Sequence, residues 1–135
     1  MRLRFGTLCR GNPFNSRRSC DKFGCGHYGA PRKGGRHSGL DIVCSDGALV
    51  YAPFSGTIVR RSRPYGNGNA IDDGIQIQSG GLCVKLFYLR PWRTSGRVSL
   101  GQAIGTMLPM QKVFRGITSH VHVQMCDRSD PSRYF

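Results

Sequence analysis

No segment of this chain runs long without a residue that breaks a helix. Nineteen glycines and seven prolines are spread through 135 residues. Between them lie only short apolar or alternating stretches, with no sustained helical period. That leaves short strands joined by turns. The pattern predicts strands at Leu40–Cys44, Leu49–Ala52, Thr57–Arg61, Gly74–Gln78, Leu82–Leu89 and His120–Met125, where Val, Ile, Phe and Tyr are frequent. Ile75-Gln76-Ile77-Gln78 sets isoleucines on one face and glutamines on the other. Turn signals stand at Pro64-Tyr65-Gly66-Asn67-Gly68-Asn69 and Asp72-Asp73-Gly74, and the first opens a loop placed to rim a groove. The length suits one domain, residues 1–135, with a core of its own. No apolar run approaches the roughly 18 residues of a membrane-spanning helix.

Six cysteines are many for a reducing compartment, and their even number suits three disulfides in an oxidising one, with 15 pairings open. The opening Met1-Arg2-Leu3-Arg4-Phe5 lacks the apolar centre of a signal peptide, so a secreted protein would here be a processed chain. No Asn-x-Ser/Thr site occurs, which excludes N-linked glycosylation. Charge is lopsided: 20 Lys and Arg face 7 acids, all of them Asp, for a net +13. Residues 1–36 hold nine of the basic residues against Asp21 alone, together with Cys9, Cys20 and Cys25. They read as an irregular, basic, Cys-rich arm packed on the body.

Such a field attracts anions. Arg17, Arg18, Arg32, Lys33 and Arg36, with Arg60, Arg61 and Arg63, form the expected patch for sulfated glycans or anionic microbial surfaces. Sixteen of the twenty basic residues are Arg, which suits bidentate contacts to sulfate or phosphate. The plain alternative is charge that only solubilises. A nucleic-acid binder is disfavoured, since no recognition motif accompanies the charge and aromatics are not interleaved with the arginines.

Two short motifs concentrate metal-ligating chemistry. His37-Ser38-Gly39-Leu40-Asp41 places an imidazole and a carboxylate four residues apart. On a straight strand that is roughly 13 Å, too far to share an ion, so a bend is required, and Gly39 permits one. Ser119-His120-Val121-His122-Val123-Gln124-Met125 alternates, so His120, His122 and Gln124 share one face and Val121, Val123 and Met125 the other. His37, Asp41 and an imidazole of the second motif make a three-ligand zinc set with one position open, as catalytic zinc uses. Ordinary surface histidines are the competing reading. A rival set at Cys20, Cys25 and His27 is disfavoured, because oxidised cysteines donate no thiolate.

The motifs follow the order and spacing of the lysostaphin/LytM family of zinc peptidases, which His37–Met125 resembles. Val50-Tyr51-Ala52-Pro53-Phe54-Ser55-Gly56-Thr57-Ile58-Val59 is similar to that family's strand–turn–strand, and Val98-x-x-Gly101-Gln102-x-Ile104-Gly105 to the turn before its His-x-His strand. A carrier-domain resemblance of the same elements fails for want of a modifiable Lys at a hairpin tip. The peptidase resemblance implies His37, Asp41 and His122 as metal ligands and His120 in an outer acid–base role. Active members carry a His in the strand where Leu86-Phe87-Tyr88-Leu89 stands, so Tyr88 departs from the pattern. A phenol with a pKa near 10 shuttles protons poorly at neutral pH.

The whole chain resembles the leukocyte cell-derived chemotaxin-2 and myb-induced myeloid protein family, built on the same scaffold. Cys20-Asp21-x-x-Gly24-Cys25-Gly26-x-Tyr28, Pro64-Tyr65, Cys83-Val84-Lys85-x-Phe87-Tyr88 and Cys126-Asp127-x-Ser129-Asp130-Pro131 carry the match. The resemblance implies a mainly β, antiparallel, barrel-like fold and the disulfides Cys9–Cys44, Cys20–Cys25 and Cys83–Cys126. It also implies a secreted or leukocyte-granule protein that binds zinc without hydrolysis, with His120 and Tyr88 as vestiges of the catalytic pair. Chemotactic, cytokine-like signalling in innate immunity through cell-surface receptors is the expected function. The runner-up is an active metallopeptidase against Gly-rich peptidoglycan bridges.

Overall fold

The computed structural model describes residues 3–135; Met1 and Arg2, the latter counted above among the arm's basic residues, lie outside the described residues. The arm contains two hairpins of two-residue strands, β1 (Cys20–Asp21) with β2 (Gly24–Cys25) and β3 (Pro31–Arg32) with β4 (Gly35–Arg36). The body follows as β5 (Leu40–Val43), β6 (Leu49–Tyr51), β7 (Gly56–Arg61), β8 (Gly74–Ser79) and β9 (Leu82–Phe87). It continues as β10 (Leu89–Pro91), β11 (Gly96–Val98), β12 (Ala103–Met107) and β13 (His120–Met125). Single 3-10 turns lie at Met110–Lys112 and Pro131–Tyr134, and no α-helix occurs among the described residues. Every strand pairing is antiparallel, as the turn-rich sequence predicts.

Six strands form one sheet in the order β11-β7-β8-β9-β13-β5, and β10-β12-β6 form a second. Both sheets bury their apolar faces in one core: Ile75, Ile77, Val84, Leu86, Val121 and Val123 from the first, Val50, Leu89 and Ile104 from the second. The glutamine face of β8 is not simply solvated. Gln76 is buried, its amide donating to Gln78 Oε1 at 3.0 Å and to Cys83 Sγ at 3.3 Å.

Seven strands go beyond the expected ones: the four short strands of the arm and, in the body, β10, β11 and β12. β12 reads in sequence as part of a turn because of Gly105 and the nearby Gly101, yet it pairs with both β10 and β6. Gly105 belongs there on steric grounds: a Cβ would run into the Arg90 carbonyl of the neighbouring strand. The expected strand Leu82–Leu89 is broken at Tyr88, which adopts φ 78° between β9 and β10. Left-handed backbone at a bulky residue is strained and needs surroundings that fix it. Here Tyr88 N donates to the Asp73 carbonyl and Leu108 N to the Tyr88 carbonyl, both at 2.9 Å.

The arm is bound to the body along two strands. Arg18 N donates to Asp41 O, Val43 N to Ser16 O and Asp41 N to Gly26 O, so the outer edge of β5 is covered. Arg10 and Tyr51 exchange backbone bonds with Leu49 and Leu8 beside β6, and Phe5 and Leu8 are buried in the core. Disulfides join Cys9 to Cys44, Cys20 to Cys25 and Cys83 to Cys126, and no cysteine among the described residues is free.

Candidate metal centre

β13 lies between β9 and β5, and its register sets His122 opposite Asp41 on one side and Phe87 on the other. The imidazole and the carboxylate therefore meet directly. His37 reaches the same point because β5 begins only at Leu40; residues 37–39 are free of the ladder, and His37 is held by backbone bonds to Ala30 and Gly29 of the arm. Gly39 stands at a bend in the chain, as expected, although its φ is not left-handed. A Cβ there would collide with the Val123 carbonyl and the His122 ring, so close approach as well as the bend calls for glycine.

Three donor atoms form a nearly equilateral triangle. His37 Nε2 is 3.0 Å from His122 Nδ1, and each lies 3.1 Å from Asp41 Oδ1. Their outer neighbours decide which nitrogens carry protons. His37 Nδ1 lies 2.9 Å from the His27 carbonyl, which can only accept, and His122 Nε2 lies 3.0 Å from Gln124 Oε1. With those protons turned outward, two lone pairs and a carboxylate oxygen converge with no donor among them. Only a cation at the centre, a proton or a metal ion, closes such a cluster. Ligands of a tetrahedral ion bound at about 2.0–2.1 Å stand about 3.4 Å apart, a few tenths of an ångström from what is found. The residues fit a metal ion.

The charge on Asp41 is secured from behind. Burial alone would push its carboxyl up, but the surrounding histidines hold it well below the usual carboxylate range. Arg18 Nη1 donates to Asp41 Oδ2 at 3.0 Å, and Asp21 grips the same guanidinium at 2.7 and 3.1 Å. Asp21 Oδ2 also accepts from Thr118 N at 2.8 Å, and the Thr118 carbonyl holds His120 Nδ1 at 2.7 Å. One arm residue, Asp21, thus braces both the carboxylate of the triangle, through Arg18, and His120, the first histidine of β13, through Thr118.

His120 and Tyr88 flank the triangle. His120 Nε2 lies 3.4 Å from Asp41 Oδ2, and burial pushes its imidazole below the ordinary value despite that carboxylate. Tyr88 stands edge-on to His120 at 5.4 Å, while Phe87 stacks on His122 at 5.5 Å. Strand alternation would send neighbouring residues to opposite faces; the left-handed φ of Tyr88 brings both to the histidines. The Tyr88 hydroxyl is 3.0 Å from that of Tyr65, and burial raises the phenol well above its ordinary pKa. Tyr65 sits on the loop predicted to rim a groove, which Asp72 folds by accepting from the N–H groups of Tyr65, Gly66 and Gly68. Tyr65, Tyr88 and His120 line a cavity of about 340 Å³ above the triangle.

Sequence reasoning assigned Arg18 to a surface anion patch, and the structure corrects this. Its side chain is 2% exposed and bound to two carboxylates, so the i,i+3 spacing to Asp21 was the signal to read. Arg17, Lys33 and Arg36 are exposed, and Arg32 is partly buried against the cavity. Arg61 pairs with Asp73 at 3.0 Å, while Arg60 and Arg63 are exposed. The polar face of β13, read as presented above the sheet, is buried at His120 and His122 beneath the cavity. Cys20 and Cys25 bond each other, and His27 contributes only its carbonyl.

A family model described as Peptidase family M23 matches residues 35–133. Myeloid protein 1 of Gallus gallus is 56% identical over 131 residues, which are 95% of this chain and 40% of that protein. The chain therefore spans less than half of that relative. Leukocyte cell-derived chemotaxin-2 of Mus musculus is 48% identical over 130 residues, 96% of this chain and 86% of its own length. The catalytic domain of the antimicrobial peptidase lysostaphin from Staphylococcus simulans shares the fold with a TM-score of 0.53 at 24% identity, over 76% of each chain. Arg18, Asp21 and the His27 carbonyl lie before the family match begins.

Proposed function

The chain belongs to peptidase family M23, and from that premise we propose that it is an extracellular, zinc-binding recognition protein without peptidase activity. Chemotactic, cytokine-like signalling in innate immunity through cell-surface receptors is the function this reading assigns. The observation that carries it is Tyr88. It packs edge-on against His120 with its hydroxyl engaged by Tyr65, where a hydrolase needs a group that gives and takes a proton near neutrality. The other basic partner, His120, turns Nε2 toward Asp41.

His37, Asp41 and His122 would hold the zinc, which when bound supplies Lewis acidity at its open position. His27 and Gln124 fix the two imidazole tautomers, and Arg18 keeps the second Asp41 oxygen turned away. An extracellular setting is supported by three disulfides and by the chemotaxin name of the mouse relative. Sulfated glycans or anionic microbial surfaces are a second proposed partner, through exposed Arg17, Lys33 and Arg36.

The alternative, a peptidase for Gly-rich peptidoglycan bridges, is favoured by one observation, the imidazole of His120 beside the triangle, with Nε2 3.4 Å from Asp41 Oδ2. Zinc-loaded protein is expected to attract leukocytes in a migration chamber and to leave pentaglycine and cell walls uncut. Zinc-dependent cleavage abolished by His120→Ala would replace this reading with the alternative.

A further inference from the structure

The cavity above the metal triangle has a character that metal binding does not require. At about 340 Å³ it lies at the small end of ligand sites, with room for a chain end but not for a folded partner. Its apolar wall includes Phe23 and Phe114, packed edge to face at 5.4 Å, with Ile117 beside them. Phe23 comes from the β1–β2 turn of the arm and Phe114 from the segment before β13, so the arm turns an open groove into a walled pocket.

Arg32, Lys33 and a tyrosine pair offer donors to a ligand, while His120 turns its Nε2 toward Asp41. Arg32 on β3 is fixed by bonds from Nη2 to the Cys25 carbonyl at 2.7 Å and from Nη1 to the Pro31 carbonyl at 3.1 Å. A guanidinium has five N–H groups, so others remain. Lys33 adds a second cation at the rim. Tyr65 and Tyr88 sit 3.0 Å apart and share one O–H, which leaves the other O–H for an incoming oxygen. Among the described residues the only carboxylate lining the cavity is Asp41, 1% exposed, bound by Arg18 at 3.0 Å and 3.8 Å from Arg32 Nη2. A cationic, donor-lined mouth over an aromatic wall selects an anion attached to an apolar body.

We infer that this pocket captures the C-terminal carboxylate of a polypeptide whose last side chain is apolar. The carboxylate meets Arg32, Lys33 and the leftover tyrosine hydroxyl, and the side chain lies against Phe23 and Phe114. The inference deepens the recognition reading above and rests on it, since it makes this site, rather than an outer face, the point where a partner's chain end docks.

The test titrates zinc-loaded protein, its metal content measured on the same sample, with N-acetyl-Gly-Phe as free acid, with its C-terminal amide, and with 3-phenylpropionate, following amide shifts by NMR. The free acid is expected to bind at least about tenfold more tightly than the amide, the difference falling in Lys33→Ala and in the double variant Tyr65→Phe/Tyr88→Phe, which removes both hydroxyls and keeps the rings. Arg128→Ala, remote from the cavity, should change nothing. Equal binding of acid and amide, or binding of neither, overturns the proposal. Phenylpropionate binding as well as the peptide acid overturns the chain-end assignment in favour of free small acids. Protein that discriminates acid from amide without holding zinc keeps the pocket and sinks the metal reading, whereas full zinc without discrimination sinks the pocket alone.

Discussion

Arg18 and Asp41, 23 residues apart in sequence, meet through a 3.0 Å hydrogen bond with both side chains sealed from solvent, 2% and 1% exposed. The pair couples the arm to the metal triangle, because Asp21 holds the far side of the same guanidinium. Arg18→Lys keeps the charge and loses the fork. Asp21→Asn leaves Arg18 to press its full charge on Asp41. Both changes should weaken zinc binding about 10–100-fold, as loss of outer partners of metal ligands does elsewhere. Chelator competition measures this, and an unchanged affinity in folded variants would show that the arm is merely structural.

Asp21 also sets how the protein responds to acid. Burial works against its charge, but Arg18 and the N–H groups of Thr118 and Phe23 outweigh burial and hold the carboxyl well below the usual range. Its contribution is full above about pH 4, where folded and unfolded chains are both charged, and drains away below that as only the unfolded chain takes up the proton. Urea midpoints of the wild type should therefore fall more steeply than those of Asp21→Asn between neutral pH and about pH 3.

Gly39→Ala should damage the site through packing alone. The added methyl meets the Val123 carbonyl and the His122 ring, neither of which can yield without moving a ligand or the sheet. A cost of about 1–3 kcal/mol in urea unfolding is expected, with a parallel loss of zinc affinity. A stable variant with unaltered zinc binding would mean that the backbone has slack here.

Removing the Cys83–Cys126 disulfide should cost about 2–5 kcal/mol, since it closes a 43-residue separation and ties β9 to the end of β13. Replacing both cysteines by Ser and measuring unfolding decides it. Thiols found in the denatured, unreduced wild type would contradict the pairing from the start.

The strands that carry the site were legible because each obeys period two. His120–Met125 reads the same in sequence and structure, and the isoleucines of β8 are core as patterned. β12 was not legible, because Gly105 looks like a turn until a neighbouring carbonyl is seen to need the space. Arg18 was misread because its spacing from Asp21 is local while its burial depends on Asp41, brought up by the covered edge of β5. Tyr88 was placed on the right segment, but alternation could not foresee that a left-handed φ would turn its ring to His120.

By itself, the sequence determined that the chain is short-stranded, rich in turns and cysteine-paired, and that two motifs hold three histidines and Asp41. Periodicity, backbone freedom and ligand chemistry are properties of neighbouring residues, so they are written locally. Only the tertiary structure decided that His37, Asp41 and His122 converge on one point, that the arm braces the point through Arg18 and Asp21, and that the cavity above it is lined by cations and aromatics. Those depend on antiparallel register and on which edge the arm covers, and both arise from packing between segments far apart in the chain.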